Sequence, residues 1–147
     1  MADVRSVAVG FLVGVGSRDE PAPLAGASHF LEHLLFKGTP RWSARQIAEA
    51  IDAVGGEMNA FTAKDHTAYY LRLLADDLPV ALDILCDIMW DPAFRPDEVE
   101  AERQVILEEI LMQSDEPDEL VHELLAAAMW PGHPLGRETL GDEATVS

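Results

Sequence analysis

The sequence has 147 residues, which is enough for one domain with a buried core. Apolar residues make up 48% of it, a share typical of globular proteins and not of disordered ones. Asp and Glu number 27 against 10 Lys and Arg, a formal charge of −17 that disfavours binding to nucleic acid or to an anionic membrane. The single cysteine, Cys86, excludes an internal disulfide and fits a reducing compartment, so we expect a cytoplasmic protein.

The chain begins with an alternating pattern that predicts a β-strand. Apolar, mostly β-branched residues occupy every second position from Val7 to Val15, and small residues such as Ala8 and Gly10 lie between them. A signal peptide has a similar apolar content, but the alternation favours a strand. We expect a helix to pack over the face of small residues.

Five helices and a hairpin follow, and prolines, glycines and capping residues mark their ends. The predicted helices run from residue 26 or 27 to 36, from the N-cap Ser43 to 54, from 77 or 78 to about 91, from 96 to about 114, and from about 117 to 130. The predicted antiparallel strands are 57–62 and 67–74, joined by a turn at 63–66, and the stretch after 131 is predicted to be irregular. This order predicts an α+β fold, a sheet with helices packed on one face. Cys86 lies in an apolar helical run, where we expect a packed thiol.

The segment from His29 to His33 reads HFLEH, an H-x-x-E-H pattern that is the inverse of the H-E-x-x-H zinc motif. Residues three and four apart share one face of a helix, so both imidazoles and Glu32 fall within about 100° of its circumference. Two imidazoles and a carboxylate directed at one point suit Zn²⁺. The alternative is a pair of half-exposed histidines and a solvated glutamate, because short motifs produce false matches.

A catalytic zinc ion usually has three protein ligands and one water, and this helix supplies two if Glu32 acts on the water. On the fourth predicted helix, Glu102 and Glu109 are seven residues apart and differ by only about 20° in phase, whereas Glu108 is about 100° from Glu109. This acidic line could supply the third ligand or could be a solvated face. Other candidates are His66, His122, His133 and Cys86.

Three blocks, HFLEHLLFKGT, GGEMNAFTAKDHTAYY and ERQVILEEI, resemble the M16 zinc metallopeptidases in order and spacing. This family includes pitrilysin, insulin-degrading enzyme and the β subunit of mitochondrial processing peptidase, and the closing HPLGRETLG also fits. The resemblance implies that one Zn²⁺ per chain is held by His29, His33 and Glu109, which lies 76 residues after His33. It also implies that Glu32 accepts the proton of the attacking water, and that Glu102 accepts a hydrogen bond from a ligand histidine.

The resemblance further implies a zinc-dependent endopeptidase that binds its peptide or protein substrate as an added β-strand. Asn59, Ala60 and Phe61 match the edge strand on which the family binds substrate through main-chain hydrogen bonds. From the residues alone, the same segment could be an ordinary exposed edge with Asn59 at a turn.

Family members are several times longer than this chain and place two related halves around a closing chamber. We therefore interpret residues 1–147 as an incomplete M16 amino-terminal domain, a truncated half-domain of the LuxS/MPP-like fold that lacks the usual first strand and the carboxy-terminal halves. The family draws an Arg and a Tyr from the later half, and neither has a counterpart here. We expect the isolated piece to bind zinc, to show little or no peptidase activity, and to self-associate through exposed apolar surface or an open strand edge.

The partners expected by resemblance are the peptide substrate and the remaining M16 domains, in the same chain or in a partner subunit. One alternative is a non-catalytic M16-like partner or scaffold subunit. Such relatives usually lose part of the H-x-x-E-H motif, which is complete here. A second alternative is an interaction domain without metal, in which these residues are structural.

Overall fold

Three strands form one antiparallel sheet in the computed structural model, which describes residues 5–147. The strands are β1 (Ser6–Val13), β2 (Glu57–Thr62) and β3 (Thr67–Leu74). The central strand is β3, with Ser6 of β1 opposite Leu74 and Glu57 of β2 opposite Arg72. Within residues 5–147, β2 therefore has one free edge.

The helices are α1 (Ala27–Leu35), α2 (Ala44–Ala53), α3 (Leu78–Trp90), α4 (Pro96–Asp115), α5 (Pro117–Met129) and α6 (Glu143–Val146). The five longer helices and the hairpin lie within two residues of their predicted bounds. The closing stretch, predicted to be irregular, contains the single turn of α6, which the side chain of Asp142 caps by accepting a hydrogen bond from the main-chain N–H of Thr145. None of the helices in residues 5–147 combines the length and the apolar composition needed to span a bilayer.

The core lies between one face of the sheet and helices α1 to α3, so the predicted α+β arrangement is confirmed. The prediction that a helix covers the small face of β1 is wrong, because Ala8 and Gly10 are exposed and the alternating apolar residues point inward. Burying the valines and Phe11 removes more apolar surface from water than burying the small residues would. The fully buried centre of this core is formed by Leu71, Ala81, Ile84, Leu85 and Ile88.

Cys86 is exposed on α3, so the expectation of a packed thiol is wrong. The buried residues of α3 follow helical spacing at positions 81, 84, 85 and 88. Position 86 is about 100° further round the helix from 85 and lies outside this stripe. The apolar composition of the run therefore did not indicate which side faces the core.

The first turn of α1 is held by a buried carboxylate that belongs to the preceding loop. Glu20 is 8% exposed, and its two oxygens accept hydrogen bonds from the main-chain N–H groups of Gly26 (2.8 Å) and Ser28 (2.6 Å). The N-terminal amides of a helix have no partner within the helix and carry partial positive charge, so a carboxylate there satisfies both needs. The Arg137 guanidinium also donates to the Glu20 carbonyl oxygen (2.6 Å), which ties the late loop to the start of α1.

We expect Glu20→Ala to lower the free energy of unfolding by roughly 1–3 kcal/mol, because two buried amides lose their acceptor. Urea denaturation followed by circular dichroism measures this change. Glu49→Ala is the matched control. Glu49 is exposed and, among residues 5–147, pairs only with Arg45 on the same helix, so its loss should cost no more than about 0.5 kcal/mol. Equal stability of the two variants would contradict the anchoring role of Glu20.

Candidate metal centre

Donor atoms from two helices converge on one point between α1 and α4. The Oε2 atom of Glu109 lies 3.8 Å from Nε2 of His29 and 3.6 Å from Nε2 of His33. One ligand atom from each of the three residues lies within 4.8 Å of the others, and no second group of this kind occurs in the described residues 5–147. Donors that share a tetrahedral zinc at about 2.1 Å lie roughly 3.4 Å apart, so this spacing is close to that of a metal site.

The packing of α4 explains why Glu109 reaches the histidines. Two residues of this helix are buried, Glu102 (5% exposed) and Ile106 (0% exposed). Glu109 lies three residues beyond Ile106 on the same side, so the helical period carries it to the edge of the contact with α1. Glu108 points away and is exposed.

The protonation state of His29 suits a metal ligand. The residue is 7% exposed, and burial, assisted by the neighbouring His33, lowers its pKa from the ordinary 6.5 to about 4, while Glu138 acts in the opposite direction. The imidazole is therefore neutral at neutral pH and keeps a lone pair. The distances from Glu109 to the two Nε2 atoms exceed those of hydrogen bonds, as expected for donors arranged around a cation.

Polar contacts behind His33 hold its imidazole ring in one orientation. Oε1 of Glu102 is 2.9 Å from Nδ1 of His33, and its other oxygen is 2.5 Å from Nζ of Lys37. A proton on Nδ1 donated to Glu102 leaves the lone pair of Nε2 directed at the cluster. Glu102 thus lies where the sequence resemblance expects it, although its part in metal binding stays a prediction. Lys37 was not among the residues predicted from the sequence. It lies one helical turn after His33, and a buried carboxylate such as that of Glu102 needs a neighbouring cation.

Glu32 lies on the β2 side of α1 and is half-buried. Its Oε2 atom accepts a hydrogen bond from the hydroxyl of Thr62 (2.5 Å). Burial raises the pKa of the Glu32 carboxyl, and the repulsion by Glu109 acts in the same direction, whereas Thr62 and His33 oppose the shift. A carboxylate of raised basicity beside the donor cluster is suited to accepting a proton. Thr62 was not among the residues predicted from the sequence.

The three residues expected to bind substrate lie in the middle of β2. Asn59 is opposite Tyr70 of β3, so it belongs to the strand and the alternative that it forms a turn is wrong. The side-chain oxygen of Asn59 accepts a hydrogen bond from the N–H of Ala60 (2.9 Å), and Phe61 is 46% exposed. This segment is thus part of one of the two outer strands of the sheet, while its role in binding peptides stays a prediction.

The remaining candidate ligands do not join the donor cluster. His66 lies in the hairpin turn with its Nδ1 2.8 Å from Asp65. His122 is exposed on α5, and Nδ1 of His133 accepts a hydrogen bond from the N–H of Leu135 (3.2 Å). Cys86 is exposed on α3.

The sequence is similar to those of a known protein family and of proteins named as zinc proteases. Residues 2–143 match the family described as Insulinase (Peptidase family M16). A Mycobacterium tuberculosis protein named as an uncharacterized zinc protease is 54% identical over 144 residues, which are 98% of this chain and 33% of the relative. YmxG of Bacillus subtilis, also named as an uncharacterized zinc protease, is 47% identical over 98% of this chain and 35% of its own length. The chain thus spans about a third of the length of these relatives.

Solved structures share the fold. A protease from Helicobacter pylori superimposes with a TM-score of 0.91 and 28% identity, over 97% of this chain and 34% of that chain. Pitrilysin superimposes with a TM-score of 0.83 and 32% identity, over 98% of this chain and 15% of that chain. These likenesses confirm the predicted fold class. Since the family match extends over nearly all of the sequence, the chain belongs to peptidase family M16.

Proposed function

We propose that this chain is the metal-binding part of a zinc-dependent endopeptidase, with His29, His33 and Glu109 as the ligands of one Zn²⁺. The observation that carries the proposal is the convergence of the three donors at separations of 3.6 and 3.8 Å, too long for hydrogen bonds. The names of the relatives, which call them zinc proteases, support the same metal. The complete H-x-x-E-H motif argues against a scaffold subunit that has lost catalysis.

The local charges also fit a divalent cation. Glu32, Glu102 and Glu109 contribute three negative charges when ionised, and Lys37 contributes one positive charge through its contact with Glu102. Glu138 also lies close enough to act on the pKa of His29, so the surroundings of the donor cluster carry a net negative charge. Zn²⁺ would offset part of this charge, and it would supply an acidified water molecule and polarisation of the scissile carbonyl.

Glu32, Glu102 and Lys37 would each have a separate part in accepting, holding or positioning a proton. Glu32 would accept a proton from the attacking water and then pass it to the leaving amine, which its raised pKa favours. Glu102 would keep the proton of His33 on Nδ1, so that Nε2 remains a ligand. Lys37 would hold the Glu102 carboxylate in that position through their ion pair.

The substrate would bind along β2 as a further antiparallel or parallel strand. The hairpin is closed by the hydrogen bond from the N–H of Ala63 to the carbonyl of His66. In an antiparallel pair, successive residues direct their main-chain N–H and C=O groups alternately toward the partner strand and away from it. The groups of Asn59 and Phe61 therefore face β3, and those of Ala60 face the free edge. A peptide pairing with Ala60 would displace the Asn59 side chain from the Ala60 N–H and would be held largely independently of its sequence.

Turnover would require further M16 sequence, in the same chain or in a partner subunit, because the chain spans about a third of its relatives. The exposed apolar side chains of α5 support contact with such a partner or with a second copy, namely Val121, Leu124, Leu125 and Met129. On this proposal the 147-residue chain alone binds zinc with little peptidase activity. A location in the cytoplasm stays a prediction.

The first test is metal binding. We expect the purified chain to bind one Zn²⁺ per molecule, and Glu109→Gln to weaken the affinity by roughly 100-fold or more, since loss of even an indirect contact to a ligand costs 10–100-fold. Competition titration with a zinc-sensitive chelating dye measures both quantities. Glu108→Gln, an exposed neighbour on α4, should keep the affinity of the unmodified chain. Full affinity in Glu109→Gln would contradict the ligand set.

The second test separates proton transfer from metal binding. In the full-length protein we expect Glu32→Gln to keep its zinc and to lower kcat for peptide hydrolysis by about 10²–10⁴-fold, because an amide cannot accept the proton. Zinc content by atomic absorption and cleavage of a quenched fluorescent peptide give the two readouts. Glu108→Gln, at an exposed glutamate of α4 outside the proposed substrate strand, serves as the control and should leave kcat unchanged. Near-normal turnover by Glu32→Gln would refute its role as the proton acceptor.

A further inference from the structure

We propose that Thr62 is a positioning residue for Glu32: its hydroxyl holds one carboxylate oxygen in place and leaves the other free to accept a proton. This inference rests on the proposed function of Glu32. It concerns a residue of the edge strand that is neither a candidate metal ligand nor one of the residues expected to bind substrate.

The contact follows from the pleat of β2. Met58, Ala60 and Thr62 alternate with exposed residues and face the side of the sheet that the helices cover. Thr62 is the last residue of the strand, and there α1 passes over the sheet. Its Oγ1 atom donates to Oε2 of Glu32 at 2.5 Å.

The hydrogen bond assigns different roles to the two oxygens of Glu32. A threonine hydroxyl has one proton, and an ionised carboxylate can only accept, so Thr62 must be the donor. In the described residues, Oε1 of Glu32 has no hydrogen-bond partner, whereas Oε2 is engaged. The free oxygen is therefore the one available for a proton from water.

Glutamate has three rotatable side-chain bonds, so its carboxylate needs a contact to stay in one orientation. A hydrogen bond to a charged acceptor is among the stronger ones in proteins. Without Thr62, the carboxylate of the half-buried Glu32 would adopt other rotamers, and a displacement of about 1 Å at a reacting group can cost about 100-fold in rate.

The same contact connects substrate binding with proton transfer. Thr62 directly follows Asn59, Ala60 and Phe61, the segment proposed to pair with the peptide. The strand that would align the peptide thus also sets the position of the proton acceptor on α1. A shift of β2 would move the bound peptide and the Glu32 carboxylate together, so their relative position would be kept.

Thr67 offers a matched control because it lies opposite Thr62 in the register of β2 and β3. Its side chain is buried, and its hydroxyl donates to the main-chain carbonyl of Val15 (3.1 Å) and not to a site residue. The same substitution at the two positions therefore removes a similar hydroxyl with different consequences.

The test uses Thr62→Val, Thr62→Ser, Thr67→Val and Glu32→Gln in the full-length protein with peptide hydrolysis and zinc content as readouts. We expect Thr62→Val to keep its zinc, to hold KM within about twofold and to lower kcat by roughly 10–100-fold. Thr62→Ser, which restores a hydroxyl, should recover most of this kcat. Thr67→Val should lower the urea midpoint of unfolding and leave kcat unchanged.

A second readout needs neither metal nor turnover. In the metal-free protein, the urea midpoints of Thr62→Val, Glu32→Ala and the double variant form a cycle, and we expect Thr62→Val to shift the midpoint less when Glu32 is already absent. Additive shifts would overturn the inference. If Glu32→Gln is inactive, a normal kcat in Thr62→Val would also overturn the inference. A kcat in Thr62→Ser that stays as low as that of Thr62→Val would do the same. Activity retained by Glu32→Gln itself would instead overturn the proposed function.

Discussion

The buried hydrogen bond between Glu102 and His33 is the contact on which the geometry of the site depends. A carboxylate that is 5% exposed is costly unless it is paired, and here an imidazole and an ammonium group satisfy its two oxygens. Because these partners belong to α1 and its extension, the contact determines how α4 lies against α1. Two turns further along α4, Glu109 is then brought to both histidines.

The histidine helix is held at both ends by buried carboxylates. Glu20 accepts hydrogen bonds from the first-turn amides of α1, and Glu102 contacts His33 in the last turn. A helix of nine residues has little stability by itself and depends on such tertiary contacts. The two anchors hold the helix that carries His29 and His33, which would preorganise the metal site that we propose.

The sheet contributes a free strand edge and a hydrogen bond to Glu32. An unpaired strand edge is a liability for aggregation, and the Asn59 side chain, by accepting from the Ala60 N–H, reduces the exposed hydrogen-bonding capacity of β2. Thr62, at the end of the same strand, contacts Glu32 on the covered face. One strand thus presents an edge to solvent and, through alternate residues, contacts the site behind it.

The sequence by itself determined the features that depend on local periodicity. The spacing of HFLEH places two imidazoles on one helical face, the seven-residue spacing of Glu102 and Glu109 aligns them on another, and the alternation in β1 identifies a strand. Only the tertiary structure decided which side of β1 is buried, why Cys86 is exposed, and that Lys37, Glu20 and Thr62 support the site. The physical reason is that helical and strand periods specify the direction of a side chain relative to its own element. Which elements meet, and hence which polar group satisfies which buried partner, follows from packing between residues far apart in the chain.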